Sequence, residues 1–178
     1  MEDIQTGQAK GATVGLDTNA LLIGPQEGTP TVNPIGGKMM LKIPDALTHD
    51  GFSVHDNVLA RGSPGPRAHR HRRHDEVFYV LEGTLAVRIE QLQISATPGS
   101  FVVVPRGAVH QPSNPGDLPA HVLLFFSPGG MDTFFLEVAE RKLPLQAIPT
   151  DPAVQAELDA FIARHDYEFA EFDSGPDG

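Results

Sequence analysis

The stretch HRHRRHDEVFYVLEG, residues 69–83, decides the fold, and GSFVVVPRGAVHQPSN, residues 99–114, completes what it begins. On an extended chain, side chains two residues apart leave the same face, so His69 and His71 aim their imidazoles at one point. After a four-residue turn, Glu76 opens the apolar run VFYVL, which reads as the next antiparallel strand and returns a carboxylate toward that point. Gly83 ends this strand at a tight turn. Farther along, PRGAVH sets a Pro and Gly turn just ahead of His110 and so directs where that imidazole is presented. Three neutral imidazoles and one carboxylate suit a borderline divalent transition metal (Fe, Mn, Ni, Co, Cu or Zn) better than a hard cation such as calcium.

Outward from this pair of stretches, Met39–Ile43 alternates as a strand, and Phe52, Val54, Val58 and Leu59 suggest another entering the first motif. Further strands are predicted near Val77–Leu81, Leu85–Ile89, Leu92–Ile94, Phe101–Val104 and His121–Phe126. Short strands with Gly and Pro between them, and no helix interleaved, argue for an antiparallel barrel or sandwich. Leu21–Ile23 is a short strand candidate, followed by GPQEGTPTVNPIGG, which Pro and Gly break into turns. After SPGG the period changes: Met131, Phe134, Phe135 and Val138 repeat at helical spacing, as do Val154, Leu158, Phe161 and Ile162. Asp151 is placed to cap the second helix, with Pro152 in its first turn. The expected division is a mobile arm over 1–20, a β-barrel over 21–130, two helices packed on it over 131–166, and an acidic tail over 167–178 that frays.

With 178 residues the chain has the length of one domain and buries roughly two-thirds of its unfolded surface in a single core. A net charge of −10 opposes a polyanionic partner, so neither nucleic acid nor an anionic membrane surface is expected. No cysteine is present, so any metal must be held by nitrogen and oxygen. The N-terminal stretch lacks a basic start and apolar core, and no apolar run approaches the roughly 20 residues of a membrane span, which reads as cytoplasmic.

The two stretches carry a resemblance. Gly99, Pro105, Gly107, His110 and Asn114 match the second cupin motif, G(x5)PxG(x2)H(x3)N, at every position, and His69, His71, Glu76 and Gly83 match HxH(x4)E(x6)G of the first. The first motif's leading glycine falls at Ser63, with Gly62 and Gly65 on either side. The chain thus resembles the cupin superfamily over roughly residues 35–130. The resemblance implies an all-β double-stranded β-helix, or jelly-roll barrel, here with two C-terminal α-helices.

Within that superfamily the chain looks most like small single-domain cupins related to quercetin 2,3-dioxygenase. By that resemblance His69, His71 and His110 hold the metal with Glu76, and Glu76 also takes the proton of an enol or phenol substrate that then meets dioxygen. Non-oxidative isomerisation or ring closure, and small-molecule binding without chemistry, are the alternatives. A homodimer is expected, with the N-terminal segment free to cross to the partner.

Phe78 and Val80 share parity with Glu76 and are expected to line an apolar pocket, with Phe101 and Val103, or else Val102 and Val104, as another wall. His121 is a further pocket candidate on a late strand whose phase the pattern leaves open. His74 reads as an exposed turn residue, not a fifth ligand, and the cluster Arg67, Arg70, Arg72 and Arg73 as meeting solvent or acidic neighbours. No constellation surrounds His49, His55 or His165.

Overall fold

A computed structural model describes residues 21–31, 33 and 37–173; the expected N-terminal arm over 1–20 lies outside them. Two antiparallel sheets face each other. The chain order is β1 (Thr29–Thr31), β2 (Gly37–Ile43), β3 (Ser53–Leu59), β4 (His69–Arg70), β5 (Asp75–Glu82), β6 (Leu85–Ile89), β7 (Leu92–Ala96), β8 (Phe101–Val104), β9 (His110–Ser113) and β10 (Ala120–Ser127), then α1 (Met131–Arg141), α2 (Pro152–Ile162) and β11 (Glu168–Phe169). One sheet runs β1-β2-β3-β10-β5-β8 and the other β11-β4-β9-β6-β7. From β3 onward the chain crosses to the other sheet at each step except β6 to β7, which gives the jelly-roll crossing expected from the motifs.

The period-two pattern sets which side of each strand is dry. In β5, Glu76, Phe78 and Val80 face inward, and in β10 Ala120, Val122, Leu124 and Phe126 do the same. Register pairs them across the ladder: Glu76 with Phe126, Phe78 with Leu124, Val80 with Val122. On the far side β8 sets Val104 against Glu76 and Val102 against Phe78. Val102 and Val104 are therefore the inner wall, whereas Phe101 and Val103 are exposed.

Both helices form where the spacing places them. Asp151 caps α2, its carboxylate accepting from the Ala153 N–H at 2.8 Å, with Pro152 at the first position. Phe134, Val138, Leu158 and Phe161 bring their apolar stripes into the same core as the strands.

Two segments depart from expectation. Leu21–Ile23 forms no strand, and Leu21 and Leu22 are exposed; β1 lies instead within the Pro- and Gly-rich stretch, paired with β2 from Thr29–Leu41 to Thr31–Met39. The Lys42 ammonium gathers the carbonyls of Gly24, Pro25 and Glu27 and fixes the approach to that strand. The C-terminal tail does not fray over its first half: β11 pairs with β4, and Tyr167 enters the core. Alternation in Asp166–Phe169 is too short to register as a strand by itself, and only the waiting edge of β4 makes it one.

Among the described residues no helix is long and apolar enough to cross a membrane.

Candidate metal centre

His69 sits on β4 directly opposite His110 of β9, and His71 follows one step past the strand end with the same parity. Glu76 comes from β5 in the facing sheet. Because the inner faces of the two sheets converge, one ligand atom from each of these four residues lies within 4.8 Å of all the others. Each residue is buried, with His110 entirely so. The Glu76 Oε2 is 2.6 Å from His110 Nε2 and 3.4 Å from His71 Nε2.

The far side of each ring decides what the near side offers. His69 Nδ1–H donates to the Arg67 carbonyl at 2.8 Å, His71 Nδ1–H to the Asp166 carbonyl at 2.8 Å, and His110 Nδ1–H to the Ala108 carbonyl at 3.1 Å. A carbonyl only accepts, so each neutral imidazole carries its proton on Nδ1 and turns the Nε2 lone pair inward. With all three rings neutral, three lone pairs and a carboxylate meet in a dry space, an arrangement that favours a cation. The donor set, all nitrogen and oxygen with every imidazole anchored from behind, fits a divalent transition metal.

The electrostatics agree. Burial, and then the neighbouring His110 and His71, push the His69 imidazole well below its usual range, which keeps its lone pair available. Burial disfavours charge on Glu76, but His110 and His71 outweigh it and hold the carboxyl below the ordinary carboxylate range. Burial opposes charge on His110, while the Glu76 carboxylate outweighs it and raises the imidazole above its ordinary value.

A cavity of about 50 Å³ opens beside the cluster, walled by Met39, Leu59, Phe78, Leu124, Phe126 and Leu145. At its rim Asn33 donates to Asn57 at 2.7 Å. Phe78 therefore lines the space as its parity predicts. Val80 is fully buried one step farther along β5 and belongs to the packed core, outside the cavity wall. His121 is a correction: it lies on the opposite face of β10 from Val122 and Leu124, and its Nε2 meets Asp56 Oδ1 at 2.7 Å away from the cavity. β10 is apolar at both parities from Val122 to Phe126, so its composition leaves the phase of His121 open.

His74 is a second correction. It is buried, and its two ring nitrogens meet Asp166 Oδ2 at 2.6 Å and the Gly129 carbonyl at 3.0 Å, so it ties the turn down and is neither exposed nor a ligand. The arginines do meet acidic neighbours, and those neighbours are in the C-terminal segment: Glu168 bridges Arg70 and Arg72 at 2.7 Å each. Asn114, the last motif residue, clamps loops by donating to the carbonyls of Leu59, Ala60 and Leu118.

Two contributors escaped the sequence reading. Tyr167 is buried in the cavity wall and stacked on His69 with ring centroids 4.4 Å apart. His55 is fully buried beside Phe135 and Phe126 with both nitrogens lacking a partner among the described residues, and burial lowers its pKa to about 4. The alternation of Asp166, Tyr167, Glu168 and Phe169, opposite an arginine-rich strand, was the available signal for the first. Nothing local marks the second.

Comparison with known proteins places these observations. Germin-like protein subfamily 2 member 1 of Arabidopsis thaliana is 35% identical over 98 residues, 52% of this chain, and the match covers 44% of that relative's length. KdgF from a Halomonas species superposes with a TM-score of 0.54 at 22% identity, covering 62% of this chain and 97% of the other. A protein described as a predicted oxalate decarboxylase from Thermotoga maritima gives 0.54 at 20% identity, covering 60% and 98%. At these identities the two structures share the fold. Residues 58–126 match the family described as Cupin domain, and all four converging side chains, the candidate metal ligands, fall inside that span.

Proposed function

We propose that this protein is a metal-dependent enzyme holding one divalent transition metal on His69, His71, Glu76 and His110, and that it is a dioxygenase acting on a mainly apolar enol or phenol. The observation that carries the reading is the set of three imidazoles, each anchored through Nδ1 to a backbone carbonyl, around one buried carboxylate. Four protein ligands leave coordination positions free for a guest, as catalytic sites do and closed structural sites do not.

When bound, the metal supplies Lewis acidity and a place where oxygen donors are activated. The rest is done by the chain. Glu76 faces the cavity, placed to take the hydroxyl proton of an enol or phenol at its carboxylate oxygen. Phe78, Leu124 and Phe126 hold a flat apolar body beside it and exclude competing water. In the overall reaction both atoms of dioxygen enter the product, so the substrate is oxidised and dioxygen reduced with no further reductant.

Elemental analysis of the purified protein, coupled to oxygen uptake against flavonols and related enols, tests this. A stoichiometric transition metal and oxygen consumption that Glu76→Gln abolishes are expected. Undiminished turnover without oxygen would instead assign the site to isomerisation or ring closure, and metal-dependent binding with no chemical change to a binding module.

A further inference from the structure

Tyr167 holds a buried hydroxyl that no group among the described residues satisfies. Buried hydroxyls in proteins are bonded with few exceptions, and an exception in a cavity wall points to something the cavity receives. The ring cannot turn away to find a partner. It is sandwiched between His69, 4.4 Å and 9° from parallel, and Phe134, 4.7 Å and 11°, with the edge of His71 at 5.4 Å.

The backbone that carries it is held as firmly. On one side Asp166 gives its carbonyl to His71 and its carboxylate to the N–H groups of Arg72 and Arg73. On the other, Glu168 pairs with Arg70 and Arg72, and the Arg67 guanidinium lies 3.9 Å over the Phe169 ring. A donor fixed in this way loses no freedom when it meets an acceptor.

We propose that Tyr167 is a ligand-binding residue of this site, its O–H donating a hydrogen bond to a carbon-bound oxygen anion of the molecule that occupies the cavity. Segment 166–169 then completes the site as its fourth wall. The proposal rests on the reading of the cavity as a metal-centred ligand site, and it narrows the ligand to a phenolate, enolate or carboxylate on an apolar body.

The test uses the metal-loaded protein, the Tyr167→Phe variant, and two probes: 4-nitrocatechol for phenolates, whose absorbance separates neutral from anionic forms, and benzoate for carboxylates. Tyr167→Phe should bind the better of the two probes about 10- to 100-fold more weakly, the size of one hydrogen bond to a charged acceptor. If that probe is 4-nitrocatechol, the bound form should also ionise at higher pH in the variant. Metal content should be unchanged, and the ligand-free variant should melt at the same temperature or higher, because an unpartnered hydroxyl has been removed.

A wild-type preference for benzoate assigns the anion to a carboxylate, and one for 4-nitrocatechol to a phenolate. Equal affinity in variant and wild type overturns the role of Tyr167 while leaving the metal site standing. A lower melting temperature without ligand overturns it too, since the hydroxyl would then be structural. Wild-type protein that takes up neither metal nor probe overturns the parent reading and this one together.

Discussion

His74 and Asp166 are joined at 2.6 Å, tying the turn that follows two of the candidate ligands to a segment more than ninety residues away. The Asp166 carboxylate also accepts from the Arg72 and Arg73 N–H groups, and its own carbonyl orients His71. Asp166→Ala takes the acceptor from the buried His74 ring and releases the exposed Arg72 and Arg73 N–H groups to water, and should cost about 1–3 kcal/mol. Urea unfolding with metal chelated should show the lower midpoint, and metal affinity should fall by about tenfold because the segment whose backbone carbonyl orients His71 is no longer tied to the turn. Asp166→Asn, which keeps one acceptor oxygen, should lose less of both.

Convergence of three Nε2 lone pairs on Glu76 predicts that cations stabilise this fold strongly. Free cobalt(II) or zinc(II) at a hundred times its dissociation constant should add about 2.7 kcal/mol. Scanning calorimetry should record a rise in melting temperature that His71→Ala and His110→Ala largely lose, whereas His121→Ala should keep it, since His121 faces away from the cluster.

Ser63 stands where the first motif has a glycine, and the turn is made by its neighbours, Gly62 at φ 66° and Gly65 at φ 77°. A Cβ on Gly65 would come within 1.7 Å of the Pro112 carbonyl oxygen, an impossible approach to backbone. Gly107, at φ 87° in the turn before His110, has open space on that side. Gly107→Ala should therefore cost only the left-handed penalty of about 1–2 kcal/mol, while Gly65→Ala should exceed about 3 kcal/mol. Equal losses in chemical denaturation would contradict this geometry.

Burial lowers His55 from 6.5 to about 4. The unfolded chain therefore takes up this proton first as pH falls, so the neutral form's contribution is complete above about pH 6.5 and is lost between there and pH 4. The loss attributable to His55 should reach about 3 kcal/mol. Comparing wild type with His55→Leu by urea unfolding from pH 7.5 to 4.5, metal chelated in both, should show a gap that narrows or reverses in favour of the variant at the acid end. A constant gap would mean that His55 gains a partner on folding.

Strand alternation, Gly and Pro punctuation and the two motifs were enough to place most strands, both helices and the four residues that converge. Those features are local or nearly so: a two-residue period sends Glu76 and Phe78 to one face whatever lies opposite. Facing is harder where both parities of a strand are apolar, as from Val122 to Phe126, and there a pocket candidate, His121, faces Asp56 instead.

What the chain's order of residues determined by itself was the barrel and the identity of four inward candidate ligands, because periodicity and turn chemistry act over a few bonds. Only the tertiary structure decided that His74 is buried, that Val80 is core and not cavity wall, and that the tail beyond residue 165 closes the site with Tyr167. Each of those outcomes depends on a partner distant in sequence: β11 is a two-residue strand with no stability of its own, and it exists because β4 offers an unpaired edge and three nearby arginines meet its acidic and aromatic side chains.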